Sequence, residues 1–280
     1  MTGQAMNAAS SSSGKWRDLR LRLLSAAVMA PLALACLYEG RLFWAVLMGI
    51  AALGISVEWV RLCGAKERAW PGSGVPLFTL LGGGIAVAHH VITGLIVLLI
   101  GGALIVWLGR AARHPLTLGA GVPYLGACLL TLIWLRYDPV VGRANVLFLV
   151  ISVWASDIGA YLAGRLIGGA KLAPSISPGK TWSGAVGGVV AAMGTGLAIA
   201  PVLHSGPAIG ALWVACLIAV VSQGGDLLES GLKRRFGVKD SGTLIPGHGG
   251  LLDRLDGLLT AAPVVAVLAA LLGRGVAVWQ

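Results

Sequence analysis

Residues 230–256 read S-G-L-K-R-R-F-G-V-K-D-S-G-T-L-I-P-G-H-G-G-L-L-D-R-L-D. The stretch is polar, basic and rich in glycine, and it ends in two aspartates three positions apart. Apolar runs flank it, 208–228 before and 255–272 after. Such runs approach the roughly 20 residues that cross ~30 Å of hydrocarbon. The polar stretch is therefore a loop between two membrane spans. Composition agrees: the chain is 57% hydrophobic and 11% charged, with a mean hydropathy of +0.86. A soluble chain carries about 25% charged residues. That apolar excess has no place in an aqueous fold, so the chain reads as an all-α, polytopic integral membrane protein.

Working outward, nine apolar runs are legible: 23–38, 42–60, 75–88, 91–108, 118–135, 146–163, 185–203, 208–228 and 255–272. The third is short. Frequent Gly and Ala allow close helix packing. Residues 1–14 are rich in Ser, Ala and Gly and read as a disordered tail. Lys15, Arg17, Arg20 and Arg22 then flank a first span, a better fit than a cleaved signal peptide. Residues 15–140 read as N-terminal transmembrane helices. Residues 141–280 read as a catalytic transmembrane region with polar loops at 164–184 and 229–254.

With the N-terminus in the cytoplasm, alternation places 17 of the 21 Lys and Arg on the cytoplasmic side and only Arg41, Arg136, Arg143 and Arg274 opposite. The positive-inside rule thus favours about nine spans, with both polar loops facing the cytoplasm of a cell inner (plasma) membrane. The net charge of +10 lies between spans, so no nucleic-acid partner is expected. Cys36, Cys63, Cys128 and Cys216 show no C-x-x-C spacing and read as packing residues.

Paired carboxylates bracket the last loop. Asp226 and Glu229 are i,i+3 at the end of the eighth run; Asp253 and Asp256 are i,i+3 at the start of the ninth. Each pair shares a helix face. In an antiparallel hairpin the pairs meet at one depth and repel unless a cation neutralises them, and Mg²⁺ favours such oxygens. Simpler readings stand beside this one: Asp253 caps a helix, and Asp226 and Glu229 pair with Lys233 or Arg234. The basic arm Lys233, Arg234, Arg235, Lys239 suits either phosphate or lipid headgroups. Gly247, Gly249 and Gly250 let backbone N–H groups approach a phosphate. His248 among them is either a donor to phosphate or a turn residue. The earlier loop carries Ser177, Lys180 and Thr181, with P-loop composition but the wrong spacing. Asp157 lies inside the sixth run, with Arg165 or a loop lysine as expected partner. Glu58 has Arg61 at i+3 and needs no catalytic role.

With these residues in view, the chain resembles the phosphatidate cytidylyltransferases, also called CDP-diacylglycerol synthases. Their signature is S-x-L-K-R-x4-K-D-x-G-x2-[LIF]-P-x-H-G-G-[LIVMF]-x-D-R-[LIVMFT]-D. Every specified position is met between Ser230 and Asp256. Similar runs are D-x-G-A-Y-x-x-G-R from Asp157, K-L-A-P-x-I-S-P-x-K-T-W from Lys171, and S-Q-x-G-D-L-x-E-S from Ser222. Two departures are Ser183, where the family usually has glutamate, and Gly179, often basic.

The resemblance implies a nucleotidyltransferase of phospholipid biosynthesis. CTP and phosphatidate give CDP-diacylglycerol and pyrophosphate, with Mg²⁺ and a second ion such as K⁺. Asp226, Asp253 and Asp256 are the expected metal ligands and, with Lys239 and His248, the catalytic set. Ser177, Lys180, Thr181, Lys233, Arg234, Gly249, Gly250 and Arg254 are the expected substrate contacts. A homodimer is a candidate assembly. Two other classes fit parts of the chain. An ion-coupled secondary transporter suits intramembrane carboxylates, but no inverted repeat is evident. A membrane prenyltransferase suits D-R-L-D but lacks a second aspartate-rich motif.

Overall fold

The computed structural model describes residues 27–204, 208–242, 244 and 249–280. Its elements are α1 (Ala27–Glu39), α2 (Arg41–Leu62), α3 (Gly74–Val87), α4 (Val91–Leu108), α5 (Pro115–Arg136), α6 (Gly142–Leu166), β1 (Lys171–Ala173), β2 (Ser177–Thr181), α7 (Trp182–Leu203), α8 (Ile209–Arg235) and α9 (Leu252–Leu272). Among the described residues the nine helices coincide with the nine apolar runs, and seven are long and apolar enough to span a membrane. At 14 residues α3 reaches only about 21 Å, short of a straight crossing. The tail 1–14 lies outside the described residues, as does the start of the first run.

The protein is a multi-pass membrane bundle. α5 is the most enclosed span and packs on α2, α3, α4, α6 and α9. α7 presents Val186, Val190 and Val202 outward, where lipid takes the place of water. Its other face lies along α6 through small residues. A Cβ on Gly159 would stand 2.4 Å from that of Ala191, and one on Gly187 would stand 2.2 Å from that of Ala163. Between helices in hydrocarbon, this closeness is what holds the pair together.

Two features depart from the expected all-helical outline. The loop 164–184 contains an antiparallel hairpin, with Lys171 opposite Thr181 and Ala173 opposite Ser177. It satisfies backbone groups while turning the chain back from α6 into α7. Helix α8 continues to Arg235, two turns beyond the apolar run. The Glu229–Lys233 pair at i,i+4 and three basic residues in the last turn, set against the helix dipole, explain the extension. The hairpin, the end of α2, the end of α8 and the start of α9 gather at one end of the bundle. At the other end the C-terminal segment folds back: Val278 N–H donates to Asn145 Oδ1 at 3.0 Å and Gly275 N–H to Asp138 Oδ2 at 2.8 Å.

Candidate active site

The last turns of α8 place Asp226, Glu229, Ser230 and Lys233 on one stripe, since residues three and four apart share a face. Ser230 Oγ donates to Asp226 Oδ1 at 3.2 Å. Lys233 Nζ reaches Glu229 at 3.0 Å and crosses to Asp253 Oδ1 on α9 at 2.7 Å. Glu229 is fully buried, and Lys233 nearly so. The simpler reading, a helix-end salt bridge from Glu229 to Lys233, is therefore part of the arrangement. It extends across the helix pair.

Asp253 also closes the loop between α8 and α9. Its Oδ2 accepts from Ser241 N–H and Gly250 N–H, each at 3.0 Å. Asp256, one turn on, accepts from Gly257 N–H at 2.7 Å. The two helices meet closely because Gly225 has no Cβ; a methyl there would stand 2.1 Å from Thr260 Oγ1.

The hairpin brings a third group. Lys180 Nζ, on β2, lies 2.5 Å from Asp226 Oδ2. Thr181 Oγ1 caps α7 by accepting from Gly184 N–H at 3.1 Å. Ser183 bonds both to Thr181 Oγ1, at 3.0 Å, and to the Gly168 carbonyl, closing the turn. Arg234 Nε donates to the Ile176 carbonyl at 3.2 Å and ties the hairpin to the end of α8. Ser177 is a half-buried strand residue paired with Ala173.

Asp157 on α6 follows Ser156, whose Oγ accepts from Gln223 Nε2 of α8 at 3.1 Å. The expected alternative partner, Arg165, instead donates to Tyr161 Oη at 2.7 Å. Carboxylates of α8 and α9 thus meet two cations: Asp226 pairs with Lys180, and Glu229 and Asp253 share Lys233. All the donors are hard oxygens, the type that suits Mg²⁺. Among the described residues no three acidic, His or Cys side chains stand ready-made as an ion cage.

Among the remaining sequence-predicted residues, Lys239 and Arg254 are exposed, Gly249 has φ +83° and Gly250 is buried at the base of the loop. His248 lies outside the described residues. Glu58 departs from its reading: Arg61 pairs with Glu67, and Glu58 accepts from the loop instead. Its only sequence signal was a carboxylate inside an apolar run. An apolar cavity of about 380 Å³ adjoins the cluster, lined by Trp59, Leu116, Tyr124, Leu228 and Leu232 among others.

Residues 20–272 match the model of the cytidylyltransferase family. A phosphatidate cytidylyltransferase of Brucella suis biovar 1 is 37% identical over 265 residues, covering 91% of this chain and 94% of its own length. One of Pseudomonas aeruginosa is 36% identical over 270 residues, covering 89% of this chain and 96% of its own. One of Haemophilus influenzae is 42% identical over 150 residues, about half of each chain.

Proposed function

Because this chain belongs to the cytidylyltransferase family, we propose that it joins CTP to phosphatidate, giving CDP-diacylglycerol and pyrophosphate at the cytoplasmic face of the inner membrane. The observation that carries this reading is the meeting of α8, α9 and the hairpin, where Asp226 pairs with Lys180 and Asp253 with Lys233, with Asp256 one turn further along α9. Acidic groups suit a divalent cation, and basic groups suit the phosphates that it accompanies.

A phosphate oxygen of the lipid attacks the α-phosphorus of CTP in line, a new P–O bond forms, and pyrophosphate leaves with the electron pair of the broken bond. The attacking monoester is already an anion near pH 7, so no strong general base is required. Positioning and charge stabilisation are the protein's share of such a reaction. Lys180, Lys239 and Arg254 supply positive charge toward the triphosphate. Lys233 and Arg234 orient the loop and hairpin that face it, and Ser177, Thr181, Gly249 and Gly250 supply neutral contacts. His248 is proposed as a donor to the leaving pyrophosphate. Asp226, Asp253 and Asp256 would hold Mg²⁺, with K⁺ as a candidate second ion. Bound there, a divalent cation offsets phosphate charge.

The apolar cavity against Leu228 and Leu232 lies one turn from Lys233, a fitting place for an acyl chain whose headgroup reaches the charged cluster. The proposal includes nine spans with the N-terminus inside and allows a homodimer. Purified protein is to be assayed with radiolabelled CTP, phosphatidate micelles and Mg²⁺, omitting one component at a time. Label in lipid only when all are present is the expected result. Uptake of solute into liposomes without chemistry would overturn the reading.

A further inference from the structure

Glu58 sits near the end of α2, far in sequence from the 230–256 loop, and is fully buried. Its Oε1 accepts from Leu251 N–H at 2.9 Å. Its Oε2 accepts from Leu252 N–H at 2.7 Å and from Ser241 Oγ at 3.3 Å. Among the described residues no cation stands within ion-pair distance of it. A carboxylate taken out of water without a counter-ion is costly unless donors surround it. Here the donors are two free N–H groups at the start of α9, where the helix dipole also favours negative charge, plus one hydroxyl.

Two loop glycines are shaped to this carboxylate. A Cβ on Gly242 would stand 2.6 Å from Glu58 Oε1, and one on Gly250 would stand 2.8 Å from Oε2 and 2.1 Å from Ser241 Oγ. Both leave room for Glu58 to enter the loop. Asp253 grips the same segment from the other side, through Ser241 N–H and Gly250 N–H, while it also bonds Lys233. Ser241 is held between the two acids, by its N–H and by its hydroxyl. A shift at Glu58 is therefore transmitted to Asp253 and Lys233 through one short stretch of backbone.

We propose that Glu58 is a positioning residue: from the N-terminal half of the chain it sets the loop and the start of α9 in register with α8. This rests on the function proposed above. It predicts that Glu58→Gln, whose amide must present N–H to at least one of these donors, raises the CTP concentration and the Mg²⁺ concentration for half-maximal turnover by about 10-fold, the scale of one charge-assisted hydrogen bond. Amide exchange at Ser241 and at Gly250, Leu251 and Leu252 should quicken while α5 stays protected. Glu58→Asp, which keeps the charge, should recover part of both effects. Asp138→Asn, at the opposite end, serves as the control for general destabilisation and should leave both half-saturation values unchanged. A merely structural role lowers the active fraction without moving them. If Glu58→Gln does not fold, Ser241→Ala removes one of the three bonds and should move the same quantities in the same direction by a smaller factor. Unchanged saturation and unchanged exchange in the folded variants overturn the proposal. The exchange readout needs no turnover, so it judges Glu58 even if the wild-type protein makes no CDP-diacylglycerol.

Discussion

Where α9 ends, Asp138 accepts from Val140 and Val141 N–H through Oδ1 and from Gly275 N–H through Oδ2, with Arg274 at 3.9 Å. Phe148 and Trp279 stack at a centroid distance of 4.6 Å, and Ala277, Val278 and Trp279 are buried. Where α9 begins, carboxylates also accept backbone N–H groups, but more acids crowd in, cations cross between elements, and Lys239 and Arg254 face outward. The first end uses a single acid to close a turn and lock the C-terminus. The second ties acids of α8 and α9 to Lys180 and Lys233 across three elements. Acids that only cap do not need such crowding, and the crowding is what motivates the proposed site for charged ligands.

The comparison can be broken at either end. The largest effect should come from Asp226→Asn or Asp253→Asn, each lowering transfer of CMP into lipid by on the order of 100-fold or more, the scale of losing one preorganised electrostatic contact. Near-normal turnover of well-folded protein in either variant would refute the assignment of the charged end. Lys180→Met should cost less, about 10-fold, from loss of one charged contact, and the loss should appear in CTP saturation. Equal kinetics would mean that the hairpin lysine serves Asp226 only as a structural partner.

Asp138→Asn should leave turnover alone and lower the melting temperature by a few degrees, as about 1 kcal/mol does in a chain of this size. Burial works to raise the Asp138 carboxyl, but N–H groups of Val141, Gly275 and Val140, together with Arg274, outweigh it and leave it below its ordinary value. A depressed carboxyl adds stability above the unfolded value of about 3.9 and loses it as pH falls through the folded value. The gap between wild type and Asp138→Asn should thus be constant near neutrality and shrink below about pH 4. A gap independent of pH would assign the effect to packing.

Most of the bundle was legible from apolar run length, because hydrocarbon forces every span to satisfy its backbone within a helix. The pairs Asp226/Glu229 and Asp253/Asp256 were legible from spacing, and so was the resemblance that Ser230 to Asp256 carries. The hairpin was not: Lys171–Ala173 and Ser177–Thr181 are too short for alternation to declare a strand. Nor was the role of Glu58, since local spacing offered Arg61 and only the packing of α2 against α9 offered Leu251, Leu252 and Ser241. Sequence alone determined that this is a membrane bundle carrying a charged loop, because transfer free energy and helical period are local properties of the chain. Tertiary structure decided which acids grip the loop, which meet the hairpin lysine and which cap a distant helix. Those partners are set by contacts between segments that lie up to 194 residues apart.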